Sequence, residues 1–151
     1  MYDLIIIGAG PAGLCAGVYA ARKQLNTLLV SGDTGGQMNN TMGIENWLGF
    51  QFINAPDLIN QFEKHVEQFP IERRIGPRVT SLKTTKAGFG AATDDGKKYS
   101  ARTVLLASGK RSRRLGVPGE KELTGRGVSY CAICDGPVFA GQRVAVIGGG
   151  N

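Results

Sequence analysis

The stretch "DLIIIGAGPAG", residues 3–13, decides how the rest of the chain is read. Leu4 to Ile7 is a short, continuous apolar run dominated by β-branched Ile. Such a run suits a parallel strand buried on both faces. Gly8, Gly10 and Gly13 follow at G-x-G-x-x-G spacing. Pro11 sits at a plausible helix start, where its missing N–H costs nothing. Residues 12–23 favour helix through Ala12, Leu14, Ala16, Tyr19, Ala20 and Ala21, and "NTLLV", residues 26–30, reads as a second buried strand. Residues 1–30 are therefore expected to form one β-α-β unit. In that setting Gly8 allows a tight turn, Gly10 admits a pyrophosphate to the backbone, and Gly13 lets helix and strand pack closely. The helix N-terminus favours the negative charge. A bound dinucleotide is the expected consequence, although the motif alone does not separate FAD from NAD(P).

Asp33 stands about 20 residues beyond the glycines, the usual spacing for an acid that takes the ribose. It is read as lying past the strand end, so a solvated turn residue is the other reading. Residues 31–50 form a long polar, Gly-rich loop holding Gly35-Gly36-Gln37 and Gly43-Ile44-Glu45-Asn46-Trp47. A loop of that length is functional or disordered, and Trp47 argues against full disorder. Leu58, Ile59, Phe62, Val66 and Phe69 recur at helical spacing over residues 55–69. Residues 78–106 read as short strands with a hairpin turn at Asp95-Gly96, the last being a buried strand over "TVLLAS", 103–108. "LGVP", 115–118, reads as a domain exit. "RVAVI", 143–147, echoes "DLIII" and predicts a strand opening a second nucleotide domain, with Gly148 and Gly150 as the first two glycines of its motif.

Composition narrows the class. The chain has 151 residues, 42% of them hydrophobic, and a net charge of +6. Its 23 glycines, roughly twice the usual ~7%, cluster at 8–13, 32–36 and 148–150, so they read as working loops. The basic knot Lys110, Arg111, Arg113, Arg114 lacks the basic helix and interleaved aromatics of a nucleic-acid surface. A solvated face or a phosphorylated cofactor explains it better, and no nucleic-acid partner is expected. No apolar run reaches the ~18 residues of a membrane span. "MYDLIII" lacks the basic start of a signal peptide. A cytoplasmic protein is expected, and in a reducing compartment three cysteines are not structural staples.

"CAICDG", residues 131–136, is the second chemical feature. Cys131 and Cys134 can close a small redox disulfide, because a C-x-x-C setting brings a thiol pKa near ambient pH. Asp135 is placed to pass a proton. Half of a zinc site is one alternative, but zinc wants four ligands, and only Cys15 and His65 remain, far apart on expected helices. Two inert buried thiols are the other alternative. Cys15 is expected in the core, and His65 on the polar side of its helix.

"GAGPAG", "GGQ" at 35–37, "GIENWLG" at 43–49, "ASG" at 107–109, "GVPGE" at 116–120, "GRGVSYCAICDG" at 125–136 and "VAVIGGGN" at 144–151 occur in the order found in bacterial-type thioredoxin reductases. The chain resembles that family along its whole length, and corresponds to about the first half of such an enzyme. Leu48 stands where the family often has Pro, and Ser108 where Thr is usual.

The resemblance implies an α/β architecture. A Rossmann-like FAD-binding domain, with a β-α-β start and a small β-meander insertion, would precede the first strand of a second Rossmann-like NAD(P)-binding domain. Residues 1–114 would be the N-terminal part of the FAD domain, 115–118 a linker, and 119–151 the start of an NADPH domain carrying the redox pair. NADPH would reduce FAD, FAD the Cys131–Cys134 disulfide, and the dithiol a thioredoxin-like protein. Cys134 would face the flavin, Cys131 would attack the partner disulfide, and Asp135 would donate a proton. Gly8, Gly10, Pro11, Ala12 and Gly13 would lie along the FAD pyrophosphate. Asp33, Gly36, Gln37, Asn46, Ala107 and Gly109 would complete that site, and Gly148 and Gly150 would belong to the NADPH site. The family is homodimeric. The 151-residue portion is expected to be inactive alone, because the third glycine of the second motif and the returning segment of the FAD domain would lie past Asn151. The flavoprotein component of a peroxide-reducing system shares these motifs. A non-catalytic FAD-binding module is the alternative from another class.

Overall fold

The computed structural model describes residues 1–41 and 43–148, apart from the side chains of Ile133 and Cys134. The N-terminal apolar run is strand β1 (Tyr2–Ala9), followed by helix α1 (Pro11–Arg22) and strand β2 (Thr27–Thr34). β1 and β2 pair in parallel, Leu4 opposite Thr27 through Ile7 opposite Val30. The expected β-α-β unit is present. A 3₁₀ turn (Gly36–Asn40) and a short antiparallel pair, β3 (Gly43–Ile44) and β4 (Ile53–Asn54), occupy the long loop. Helix α2 (Ala55–Glu67) follows, burying Leu58 and Val66.

Strand β5 (Glu72–Ile75) then pairs in parallel with β2. The meander β6 (Val79–Thr85), β7 (Gly88–Thr93), β8 (Lys98–Leu106) is antiparallel, and β8 returns parallel beside β1. One six-stranded sheet results, in the order β5-β2-β1-β8-β7-β6. The turn at Asp95-Gly96 is the expected one, closed by the Thr93 N–H on the Lys97 carbonyl at 3.0 Å.

Each face of the sheet has its own core. Ile6, Ala9, Leu29 and Leu14 cluster with Val66 of α2, while Ile5, Leu28 and Val30 cluster with Ala91 and Ala101 of the meander. Full burial of each large aliphatic side chain contributes about 1.5–3 kcal/mol, so β1 and β2, apolar on both faces, anchor the fold. Helix α1 lies close to the sheet because its inner stripe is small, Gly13, Gly17 and Ala20 beside Leu14. A Cβ on Gly17 would already be 3.3 Å from Ile71.

The chain divides into two compact units, Met1–Lys110 and Arg111–Asn151. The second holds helix α3 (Glu120–Leu123), helix α4 (Ala132–Asp135), a 3₁₀ turn (Gly136–Phe139) and a parallel bridge between Thr124 and Val128.

Four local expectations change. Asp33 lies within β2, which runs on to Thr34, and not in a loop beyond the strand. Cys15 is exposed, because the inner stripe of α1 falls on Gly13, Leu14 and Gly17. Residues 103–108 are not buried on both faces: Thr103 is exposed and Leu106 is 66% exposed, in the part of β8 beyond Lys98–Ala101, where β7 no longer pairs with it. Residues 143–147 form no strand and Val146 is 84% exposed, because no strand runs alongside to pair with them among the described residues.

Candidate functional site

The chain steps from β1 to β2 in one direction along the sheet, whereas β8 lies on the opposite side of β1. That reversal makes the carboxyl ends of β1 and β8 a topological switch point, where open α/β sheets bind ligands. Three loops meet there. The Gly35 N–H donates to the Ala9 carbonyl at 2.9 Å, and the Ala107 N–H to the Ile7 carbonyl at 2.8 Å. The Gln37 side-chain amide donates to the Lys110 carbonyl at 2.6 Å, tying the second loop to the third.

The glycines differ sharply in their surroundings. Gly8 has φ +112°, and a Cβ there would sit 2.3 Å from the Ala107 carbonyl oxygen. A Cβ on Gly13 would sit 1.8 Å from the Gly8 carbonyl oxygen. These two are filled by the protein's own backbone. Gly10 is open, its nearest neighbour for a Cβ being the Gly35 carbonyl oxygen at 4.0 Å. Gly10 is the N-cap of α1, Pro11 its first residue, and the helix has neither a side-chain cap nor an acid in its first turn. Ala12 is exposed in that turn, and Gly36 approaches Gly10 from the second loop. A helix N-terminus of this kind, bare and lined by backbone, fits a pyrophosphate.

The rim is polar. Asp33 meets the Arg78 guanidinium at 3.4 Å, a partner the sequence did not single out. Ala107 is half-buried and Gly109 exposed at the end of β8. Asn46 is exposed in the neighbouring loop, where among the described residues no hydrogen bond ties it to the glycine loops. Trp47 anchors that loop by packing on Phe62, ring centroids 5.2 Å apart.

In the second unit Cys131 is disulfide-bonded; Cys15, on α1 of the first unit, is a free thiol. Among the described residues no cluster of His, Cys, Asp and Glu could hold a metal ion. Helix α4 is a single turn in which the Asp135 N–H donates to the Cys131 carbonyl at 3.0 Å. Ser129 was not singled out in the sequence. Its hydroxyl accepts the Cys131 N–H at 3.0 Å and donates to the Asp135 carboxylate. A Ser whose hydroxyl accepts the N–H two residues on, just ahead of a short helix, is a local turn signal, legible only once the helix is known.

Glu120 is the second such residue. Its buried carboxylate accepts the Tyr130 hydroxyl at 2.5 Å, the Leu115 N–H at 2.9 Å and the Gly116 N–H at 2.7 Å. The Tyr130 hydroxyl and then those backbone donors hold the Glu120 carboxyl below the usual range, while Glu120 pushes the Tyr130 phenol up. Gly148 has φ +91° with open space around it, and Gly150 lies outside the described residues.

A family model described as "Pyridine nucleotide-disulphide oxidoreductase" matches residues 2–151. The thioredoxin reductase of Bacillus subtilis (strain 168) is 46% identical over 157 residues, covering 100% of this chain and 48% of that protein. An alkyl hydroperoxide reductase component of Pseudomonas putida is 43% identical over 152 residues, covering 99% of this chain and 29% of that protein. The crystal structure of thioredoxin reductase from Streptococcus pyogenes MGAS5005 superposes with a TM-score of 0.81 at 44% identity, covering 92% of this chain and 45% of the other. The chain thus spans about half the length, or less, of the curated relatives it matches.

Proposed function

Because the chain belongs to the pyridine nucleotide-disulphide oxidoreductase family, we propose that its residues serve an FAD-dependent thioredoxin-disulfide reductase that draws on NADPH. One observation carries this reading: a glycine cradle for a dinucleotide and a disulfide-bonded cysteine in a C-x-x-C segment occur in the same chain. A bound flavin supplies two-electron reduction of a disulfide at the expense of NADPH. The backbone at Gly10, Ala12 and Gly13 receives the FAD pyrophosphate, with Asp33, Gly36, Gln37, Asn46, Ala107 and Gly109 around it. The reduced Cys131 thiolate attacks the disulfide of a thioredoxin-like protein, forming a mixed disulfide and releasing one thiolate. Cys134 then attacks the Cys131 sulfur, which re-forms the internal disulfide and frees the second thiolate. Asp135 donates a proton to a departing thiolate. In the same reading the protein is a cytoplasmic homodimer, Gly148 and Gly150 belong to the NADPH site, and residues 115–118 link the two domains.

A peroxide-reducing system is the second reading, supported by the likeness to the Pseudomonas protein. Full-length holoprotein, assayed by NADPH oxidation at 340 nm, separates the two. Turnover with a thioredoxin disulfide supports the first, and turnover only with a peroxiredoxin-reducing module supports the second. If neither is reduced, and Cys134→Ser leaves the flavin spectrum unchanged, the protein is a non-catalytic FAD-binding module.

A further inference from the structure

We propose that Ser129 is a positioning residue that holds Asp135 in place in both of its protonation states. This rests on the reading above only in taking Asp135 as the proton donor. A helix of four residues cannot hold its own geometry, because nucleating a single turn is unfavourable. Helix α4 is such a turn, running from Ala132 to Asp135. One side chain outside it reaches both of its ends: Ser129 meets the Cys131 N–H at the start and the Asp135 carboxylate at the finish.

Counting donors and acceptors shows why a hydroxyl is needed. A serine oxygen carries one donor and two acceptor sites. With Asp135 ionised, the Ser129 proton goes to Asp135 Oδ2, and one lone pair accepts the Cys131 N–H at 3.0 Å. With Asp135 protonated, the Asp135 O–H becomes the donor and takes the second lone pair of Ser129. The Ser129 proton then needs another acceptor, and the Cys131 carbonyl stands 3.4 Å away. The Ser129 proton, the Cys131 N–H and the Asp135 carboxyl are satisfied in both states, and no heavy atom has to move. One proton arrives at or leaves Asp135, and only the Ser129 hydroxyl rotates. An alanine supplies none of these bonds, whereas a threonine supplies all of them.

The test uses full-length holoprotein with Ser129→Ala, Ser129→Thr, Asp135→Asn and the double variant S129A/D135N. Ser129→Ala should lower kcat about tenfold, the loss of one hydrogen bond to a charged group, with KM for the thioredoxin-like protein unchanged. Ser129→Thr should restore kcat. The double variant should be no slower than Asp135→Asn alone, because both changes strike one unit. Amide hydrogen exchange at Cys131, which needs no turnover, should quicken about tenfold in Ser129→Ala and stay slow in Ser129→Thr. Full kcat in Ser129→Ala, independent losses in the double variant, or unchanged exchange at Cys131 would each overturn the assignment. Absence of reductase turnover in the unsubstituted holoprotein would instead refute the proposed function, and the exchange measurement would then decide on Ser129 alone.

Discussion

Replacing Gly13 by Ala sets two effects of known size against each other. Ala is favoured over Gly in a helix by about 0.8–1.0 kcal/mol. Against that, the new Cβ would lie 1.8 Å from the Gly8 carbonyl oxygen, where such contacts essentially never fall below 3.0 Å. The obstacle is backbone, so no side chain can turn aside. Helix α1 must retreat by roughly 1.2 Å from a close-packed sheet. Overpacking of this kind costs about 1–3 kcal/mol, and a rigid backbone clash belongs at the upper end. The net cost is about 2 kcal/mol, which lowers Tm by roughly 4–8 °C for a chain of this size. Gly10→Ala is the matched control. Its Cβ meets nothing nearer than 4.0 Å, and φ there is an ordinary −74°. Stability should fall by no more than about 1 kcal/mol, since Ala caps a helix less well than Gly. FAD affinity should instead drop about 10- to 100-fold, because the added Cβ would hold a phosphate away from the backbone N–H groups it approaches. Circular-dichroism melts and quenching of flavin fluorescence read the two effects separately. A Gly13→Ala protein that melts with the unsubstituted one, or a Gly10→Ala protein that is the less stable of the pair, would show that the Gly13–Gly8 contact does not limit the approach of α1.

Two further predictions concern pH. The Glu120 carboxyl is held below its ordinary value of 4.5, chiefly by the Tyr130 hydroxyl. Its contribution to stability is therefore fully present above about pH 4.5 and is lost as pH falls through the lower folded value. Glu120→Gln should flatten the acid limb of Tm against pH below about pH 4.5, and an unaltered limb would contradict the assignment. At the other extreme, Tyr2 donates to Glu72 at 2.6 Å and its phenol is pushed up to about 12, first by that hydrogen bond. The stability it adds is present below about pH 10 and is lost as pH rises through the folded value. Glu72→Gln should return one phenol towards its ordinary 10.0 in an ultraviolet titration, and the same titration curve in both proteins would disprove the link.

Where the sequence was read correctly, the signal was local and strong. Leu4–Ile7 and "NTLLV" are apolar on both faces, and only a central parallel strand accepts that. The apolar spacing of residues 55–69 and the turn at Asp95-Gly96 likewise depend on near neighbours. The misreadings share one cause, which is that the outcome depended on what packs nearby. Strand β5 carries Glu72, Arg73 and Arg74 and shows no apolar run, yet it pairs because an edge strand keeps its charges in water. Cys15 was expected inside, and the small stripe of α1 turned it out. "RVAVI" has the composition of a strand, and without a neighbour it is not one.

The order and spacing of residues alone point to the family and the β-α-β start. Those properties follow from short-range sterics and from residue chemistry, which travel with the sequence. Which glycines are crowded by backbone and which one is open was settled only in three dimensions. Gly8 and Gly13 are crowded by Ala107 and by Gly8 itself, and Gly10 is not. The same holds for Ser129 and Asp135, six residues apart and joined by one hydroxyl across a single turn. Contacts of this kind are set by which strand returns beside which and how a loop closes, and no periodicity along the chain records them.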